Sequence, residues 1–296
     1  MKTVFIRAIE AADDEKAAVL REAVQAGSQS RFDADVSTFS QVPRSPFAYW
    51  ASDDIRACFA NNPRFESERR TAKVGLQTSD DFRFVRLAYE VSPRSQKSVL
   101  WFPFSKGGSF SRFYADVVLF IHWQHDGSMA KAWAESLYGG AHHWSRRLQN
   151  VDFFYRPGLT WPRRTQGGLS FRIMPRGCIF ADKGPAAFVN DDASDKLLSL
   201  AAISNSRPFS ALVEMQMAFG SYEVGVIQRT PIPVLDPSQI SLLSKLAHRI
   251  WSLKRLLDSR TENSHALSLP ALLQVAAVDL KGRAEAWANH ASTLQA

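Results

Sequence analysis

The sequence predicts an α+β fold, with a mixed, mostly antiparallel β core flanked by helices. Between Phe39 and Val189, short apolar or alternating runs are split by Gly, Pro, Asn and Asp, which is strand length and strand composition with well-marked turns. On either side of that region apolar residues recur every three to four positions, the spacing of a helix with one buried face. No internal repeat or low-complexity tract interrupts the pattern.

Taken in order, a helix rich in Ala and Glu is expected over residues 8–26, with Val19, Leu20 and Val24 as a modest apolar face. GSQSRFDAD at 27–35 then reads as a polar break, a linker into the main domain. Strands are expected in FRFVRLAYEV (82–91), SVLWFPF (98–104), DVVLFIHW (116–123), LSFRIM (169–174) and GCIFA (177–181). Helical spacing returns from Lys196, and YEVGVIQRTPIPVL (222–235) reads as one more extended piece. Pro231 and Pro233 confine that piece to a sheet edge or a strand end, because proline cannot donate to a ladder. Asp236–Pro237 opens a helix in which Ile240, Leu243, Leu246, Ile250, Leu253 and Leu257 form the stripe. The expected division is a helical leader and linker (1–38), a main domain (39–235) and a C-terminal helical segment (236–296).

Composition narrows the class. At 296 residues, 45% hydrophobic and 22% charged, the chain sits near the globular average, which excludes disordered and fibrous architectures. LLSLAAI at 197–203 falls far short of the roughly eighteen apolar residues that cross a bilayer, so no membrane partner is expected. MKTVFIRAIEAADDEK places acids where an export signal needs its apolar core. Cys58 and Cys178 are too few and too far apart for a disulfide framework or a thiolate zinc site. The expected compartment is the reducing cytoplasm.

Charge is more telling. Lys and Arg number 36 against 29 Asp and Glu, a net +7, and 25 of the 36 are Arg. A guanidinium offers a planar fork of donors that matches phosphate oxygens and the acceptor edge of guanine, where lysine offers a point charge. From Trp144 to Arg176 there are seven Arg (146, 147, 156, 163, 164, 172 and 176) against one acid, Asp152. Taken alone, such a stretch is also compatible with solvated surface.

The familiar catalytic patterns do not occur. KGGSFSRFY at 106–114 follows a strand, but it lacks the Lys-Ser ending and runs into another extended segment, so it is no nucleotide P-loop. No serine occupies a nucleophile elbow. In HWQHD (122–126), His122 and His125 lie three apart and diverge if the segment is a strand ending in an Asp126–Gly127 turn. His142 and His143 face opposite ways by the same argument, or sit in a loop. NNPRF at 61–65 has Arg64 where an amino-methyltransferase needs a second proline, so Asn62–Pro63 reads as a turn. The chain therefore reads as having no catalytic residue, metal site or cofactor of its own.

Three segments combine glycine, basic and aromatic residues in a manner suited to a nucleic-acid surface. In KVGLQTSDDFRFVR (73–86), Thr78 and Asp81 cap a turn with Arg83 and Arg86 close by. In WFPFSKGGSFSRFYAD (101–116), Gly107 and Gly108 let backbone amides approach a polyanion, while Lys106, Arg112 and Tyr114 supply donors and a stacking face. In GLTWPRRTQGGLSFR (158–172), Arg163, Arg164, Thr165 and Gln166 stand between Pro162 and Gly167–Gly168, where side chains could read base edges.

In this order the segments resemble the target-recognition half of large adenine-specific DNA methyltransferases, namely the BREX phage-defence methyltransferases and the related type IIG restriction–modification enzymes. FSQVPRSPFAYW (39–50) is similar to the family's entry segment, and Gly75, Thr78 and Asp81 to its glycine–threonine–aspartate turn. WFPFSKGG…FY at 101–114 is the most specific element. Trp123, Asp126 and Gly127 match a tryptophan–Asp–Gly string, and Thr160 and Trp161 the start of the late loop. YEVGVIQRTPIPVL with its following helix, and RTENSHALSLPALL (260–273), resemble the closing elements. The resemblance spans about residues 39–275.

It implies a DNA target-recognition domain whose partner is double-stranded DNA. The residues implied to hold DNA are Lys106, Gly107, Gly108, Arg112, Tyr114, Arg146, Arg147, Arg163, Arg164, Thr165, Gln166 and Arg172, with Gly75, Thr78, Asp81 and Arg83 as turn and positioning residues. In the family a catalytic domain that binds S-adenosylmethionine and carries the proline–proline element precedes this region, whereas only a short leader precedes Phe39 here. Methyl transfer is therefore expected of a separate or missing catalytic subunit or domain, with S-adenosylmethionine bound there and other defence-system proteins as further partners. Two other readings stay open on the residues alone: a self-sufficient nucleic-acid enzyme with a degenerate site, and a protein-binding inhibitor derived from the same domain.

Overall fold

One strand, β10 (Ala186–Val189), organises the molecule, because its four residues are all buried and alternate between two cores. Ala187 and Val189 face one core with Phe65, Leu159, Trp161, Phe171 and Phe209. Ala186 and Phe188 face the other, with Phe84, Phe104, Ile121, Trp123, Phe154 and Phe180. Successive side chains of a strand point to opposite faces, so a short, wholly apolar strand is what a position between two cores requires. The computed structural model describes residues 2–25, 27–91, 100–137, 139–217, 220–261, 263–264 and 266–295.

Among the described residues the strands form three sheets. β1 (Lys2–Ile6) pairs antiparallel with β2 (Arg31–Asp35). The central sheet joins β3 (Arg70–Lys73), β10, β7 (Gly158–Thr160) and β8 (Arg172–Met174) in that order, every pair antiparallel. The third sheet has the order β4 (Val85–Leu87), β6 (Leu119–His122), β5 (Trp101–Ser105), β9 (Ile179–Phe180), in which β5 and β9 run parallel. β9 and β10 thus belong to different sheets, and the Ala181–Pro185 turn between them is where the two sheets meet.

The helices are α1 (Lys16–Ala23), α2 (Asp53–Asn61), the short α3 (Asp81–Phe84), α4 (Gln124–Ser136), α5 (Ser194–Ser204), α6 (Arg207–Glu214), α7 (Val224–Arg229), α8 (Pro237–Asp258) and α9 (Leu280–Gln295). α8 starts where its sequence signal places it. The Asp236 carboxylate accepts from the Gln239 amide at 2.9 Å while Gln239 accepts from the Asp236 amide at 3.0 Å, a reciprocal capping box. α8 packs against α5. Lys254 on α8 reaches back to donate to Ser111 Oγ at 2.8 Å and to the Arg112 carbonyl at 2.7 Å. Among the described residues no helix is long and apolar enough to cross a membrane.

The α+β class holds, and several elements differ from expectation. The leader is a strand, a helix and a strand: α1 covers only Lys16–Ala23, and RFDAD, read as linker, is β2. A short strand in a two-stranded sheet with one open face has little apolar periodicity to show. YEVGVIQR is not extended. Glu223 precedes α7, whose Val224, Val226 and Ile227 are buried, and the extended piece begins only at Thr230. β-branched residues carry strand propensity, but burial on three sides of a six-residue helix outweighs it. In 82–91 only Val85–Leu87 is strand, flanked by α3 and a 3-10 turn at Ala88–Glu90. Ser98 and Val99 lie outside the described residues. His122 ends β6, and His125, Asp126 and Gly127 all adopt positive φ, so the turn occurs inside the start of α4.

Candidate nucleic-acid interface

Four turns from distant parts of the chain meet at the junction of the two larger sheets. The KGG turn after β5 lies on the Lys183–Gly184 turn so closely that a Cβ on Gly107 would sit 2.6 Å from the Lys183 carbonyl oxygen. Gly107 has φ of +85°, so glycine is demanded there by both conformation and space. The loop carrying Arg163 and Arg164 joins the same turn: the Arg163 amide donates to the Lys183 carbonyl at 3.0 Å. Further along it, a Cβ on Gly167 would sit 2.6 Å from Phe110 Cβ. The turn at 78–83 is tied in by Lys106, which forms an ion pair with Asp81, itself hydrogen-bonded by Thr78 Oγ1. Below them Ser105 Oγ donates to Thr160 Oγ1 at 3.3 Å, and Thr160 Oγ1 donates to the Gly184 carbonyl at 3.3 Å.

Burial works to raise the Asp81 carboxyl. Hydrogen bonds from Lys106 and Thr78, with the charges of Lys106 and Lys183, outweigh it and hold the group below the ordinary carboxylate range. A depressed folded value means the clamp's contribution is present above the unfolded carboxylate value, about 3.9, and is lost as pH falls through the folded one. We expect Lys106→Ala to flatten the acid limb of the stability profile below about pH 5 while leaving the neutral-to-basic side in shape. Urea melts of both proteins across that range check it; parallel acid limbs would contradict the clamp.

The predicted site residues divide by what surrounds them. Arg146, Arg164 and Gln166 are exposed. Arg164 Nε donates to Ser221 Oγ at 2.9 Å. Thr165 Oγ1 accepts from the Gly167 amide at 3.1 Å and shapes the loop. Arg163 lies in a two-pronged pair with Glu223, at 2.9 Å on each prong. Arg147 Nη1 donates to Gln77 Oε1 at 2.6 Å, and Arg83 lies over the Trp133 ring at 4.3 Å. Gly75 lets the chain lie against β9, where the Leu76 amide donates to the Phe180 carbonyl at 3.1 Å.

Three roles assigned from sequence need correction. Tyr114 offers no stacking face: it is buried, its ring 6.0 Å from Trp251 of α8, and burial pushes its hydroxyl well above the usual phenol value. Arg172 is only 4% exposed, and its Nη1 donates to the Ser109 carbonyl at 2.9 Å. Burial drives its value down to about 10, and among the described residues its Nη2 has no partner. It supports the loop above it from beneath. Gly107 meets the Lys183 turn rather than open space, whereas a Cβ on Gly108, at φ +114°, would approach nothing closer than the Arg172 guanidinium at 3.9 Å. Arg112 lies 5.4 Å over the Phe110 ring.

The arginine-rich stretch is therefore much more structural than its charge suggests. Arg156 pairs with Asp192 at 2.8 Å and donates to the Val189 carbonyl at 2.8 Å, and Arg176 reaches the same Asp192 at 3.5 Å. Sequence reasoning missed Lys183, an exposed cation at the centre of the convergence. Its signal was present in ADKGP, a Lys-Gly-Pro turn between two apolar runs. Among the described residues no group of three His, Cys, Asp or Glu is placed to hold a metal ion.

No protein-family model matches the chain. Two curated proteins are similar to most of it. Adenine-specific methyltransferase PglX of Lacticaseibacillus casei (strain Zhang) is 25% identical over 221 residues, 71% of this chain and 18% of the relative. Adenine-specific methyltransferase BrxX of Escherichia coli O9:H4 (strain HS) is 26% identical over 219 residues, 72% of this chain and 17% of the relative. Over about seven-tenths of its length the chain is thus distantly similar to two adenine-specific methyltransferases. It spans less than a fifth of the length of the curated relatives it matches.

Proposed function

We propose that the chain is a sequence-specific DNA target-recognition module for an adenine-N6 DNA methyltransferase of a BREX-type phage-defence or restriction–modification system. Residues 39–235 form the recognition domain, working in the cytoplasm. The leader helix and the 236–258 helix are the surfaces for the partner, a catalytic domain or subunit that holds S-adenosylmethionine and transfers the methyl group. The observation that carries this reading is the convergence of the turns at 78–83, 106–112, 163–168 and 182–184 on one junction in a chain similar to adenine-specific methyltransferases. Phosphate contacts give affinity and register, and base-edge contacts give sequence. Lys183 and Arg146 grip phosphates, Lys106 holds the 78–83 turn through Asp81, and the amides around Gly108 approach the backbone. Arg163, Arg164 and Gln166 read base edges, Arg163 exchanging its Glu223 carboxylate for the acceptor edge of guanine.

The two roles separate experimentally. With duplexes selected from a random-sequence pool, Arg163→Ala with Arg164→Ala should relax the preference among sequences. Lys183→Ala should weaken all of them alike and reduce the salt slope by about one. Equal effects of both changes on every duplex would remove the 163–166 loop from the reading role.

A further inference from the structure

Phe82 stands 95% exposed at the first turn of α3, whereas among the described residues no other exposed Phe, Tyr or Trp exceeds 70%. Burying a phenylalanine ring is strongly favourable, because it takes a large apolar surface out of water. A ring so exposed leaves nearly all of that unused within the chain. The backbone that presents it is held by bonds before and after the ring in sequence. Asp80 accepts from the Arg83 amide at 3.1 Å, and Asp81 is fixed by Thr78 and Lys106. The Phe82 carbonyl accepts from Arg86 Nη1 at 2.6 Å, and Phe84, two residues on, is buried in the core. Phe82 is thus an apolar ring on a rigid mount.

The surroundings indicate what it meets. Its chain neighbours are Asp80, Asp81 and Arg83, with Lys106 bonded to Asp81. Lys183 is close enough to help hold the Asp81 carboxyl down. The two acids are occupied, one capping α3 and one paired with the largely covered Lys106, while Arg83 and Lys183 stay exposed in the neighbourhood of the ring. A base has a π-face and carries phosphates on either side of it, and wedges of Phe, Leu or Ile inserted between base steps are an established way to open a duplex stack.

We propose that Phe82 is the wedge of this chain, inserting between two base pairs of the bound duplex from the mount that the Asp81–Lys106 pair secures. The proposal rests on the DNA-recognition reading above and adds to it a residue that unstacks one step. Chemistry on an adenine amine requires its base to leave the stack, and an opened step lowers the work of extrusion for a catalytic partner.

The test uses the whole chain and the tightest duplex selected from a random-sequence pool, with 2-aminopurine substituted for each adenine in turn. Wild type should raise 2-aminopurine fluorescence several-fold at one step. Phe82→Ala should abolish the rise and weaken binding about tenfold, within the range for loss of one stacked base, with an unchanged salt slope. Phe82→Trp should restore both. Because the ring contacts little, these variants keep the wild-type urea midpoint. A bound wild-type complex with no fluorescence rise at any position, or a Phe82→Ala protein equal to wild type in both readouts, would overturn the wedge and leave the recognition reading standing. A pool that yields no bound duplex would overturn both. Loss of binding to a methyltransferase protein by Phe82→Ala, with the duplex readouts unaltered, would reassign the ring to a protein contact.

Discussion

Replacing Trp161 with Ala should lower stability by about 3–5 kcal/mol, read as a large fall in the urea midpoint with little change in slope. The indole is wholly buried in the core that the central sheet shares with α5 and α6, with its ring 5.0 Å from Phe171. Its Nε1 donates to the Tyr222 carbonyl at 2.8 Å, and two residues on the Arg163 carbonyl accepts from the Tyr222 amide at 2.8 Å. The substitution opens a cavity and strips a buried carbonyl of its donor in one step. Trp161→Phe should lose less, because most of the volume stays and only the hydrogen bond goes. The larger consequence lies in the next turn of chain. Trp161 anchors the loop that carries Arg163 to Gln166, so its loss frees that loop before the rest unfolds. A cost below about 1 kcal/mol would mean the core relaxes around the gap, and that the loop is held by something else.

The second large effect is expected at Gly184. A Cβ there would overlap the Gly107 amide nitrogen and stand 3.0 Å from the Lys106 carbonyl carbon. The obstacle is backbone on both counts, so no side chain can swing aside. Gly184→Val must part the Lys183 turn from the KGG turn, and with them the loops of 78–83 and 163–168. We expect duplex affinity to fall by on the order of tenfold or more, with a shallower salt slope because several phosphates go unneutralised at once. The β1–β2 pair and the packing of α8 on α5 should keep the protein's overall circular dichroism close to wild type. An affinity equal to wild type would show that the convergence of these turns is incidental to binding.

Much of the scaffold was legible in the sequence. Leu119–His122 and Arg172–Met174 fall within runs whose alternation and bounding turns announce strands, and Trp101–Ser105 does so but for its last residue. Asp236–Pro237 announces the start of α8. The misreadings share one cause, which is that local pattern carries no knowledge of tertiary neighbours. Val224 and Val226 look like strand residues until the core that buries them is known. RFDAD looks like linker until β1 lies beside it. At the candidate site the residue types were visible and their partners were not. Arg163 and Glu223 are sixty positions apart, and nothing local says that they pair. Tyr114 and Arg172 carry donors that suit a polyanion, yet α8 covers the first and the 109–112 loop the second. Lys183 is easily passed over because it stands as a lone cation in the ADKGP turn. Only the return of β9 into β10 brings it beside Lys106, 77 residues earlier.

The central claim is that four converging turns form a surface for the DNA backbone, and the salt dependence of duplex binding tests it most directly. Each phosphate neutralised by a cation releases counterion, so log affinity should fall linearly with log salt at roughly 0.9 per contact. Titrating a selected duplex between about 50 and 200 mM salt should give a steep slope for wild type and a shallower one for Lys183→Ala. A flat response in wild type, or one that Lys183→Ala leaves untouched, would contradict the account.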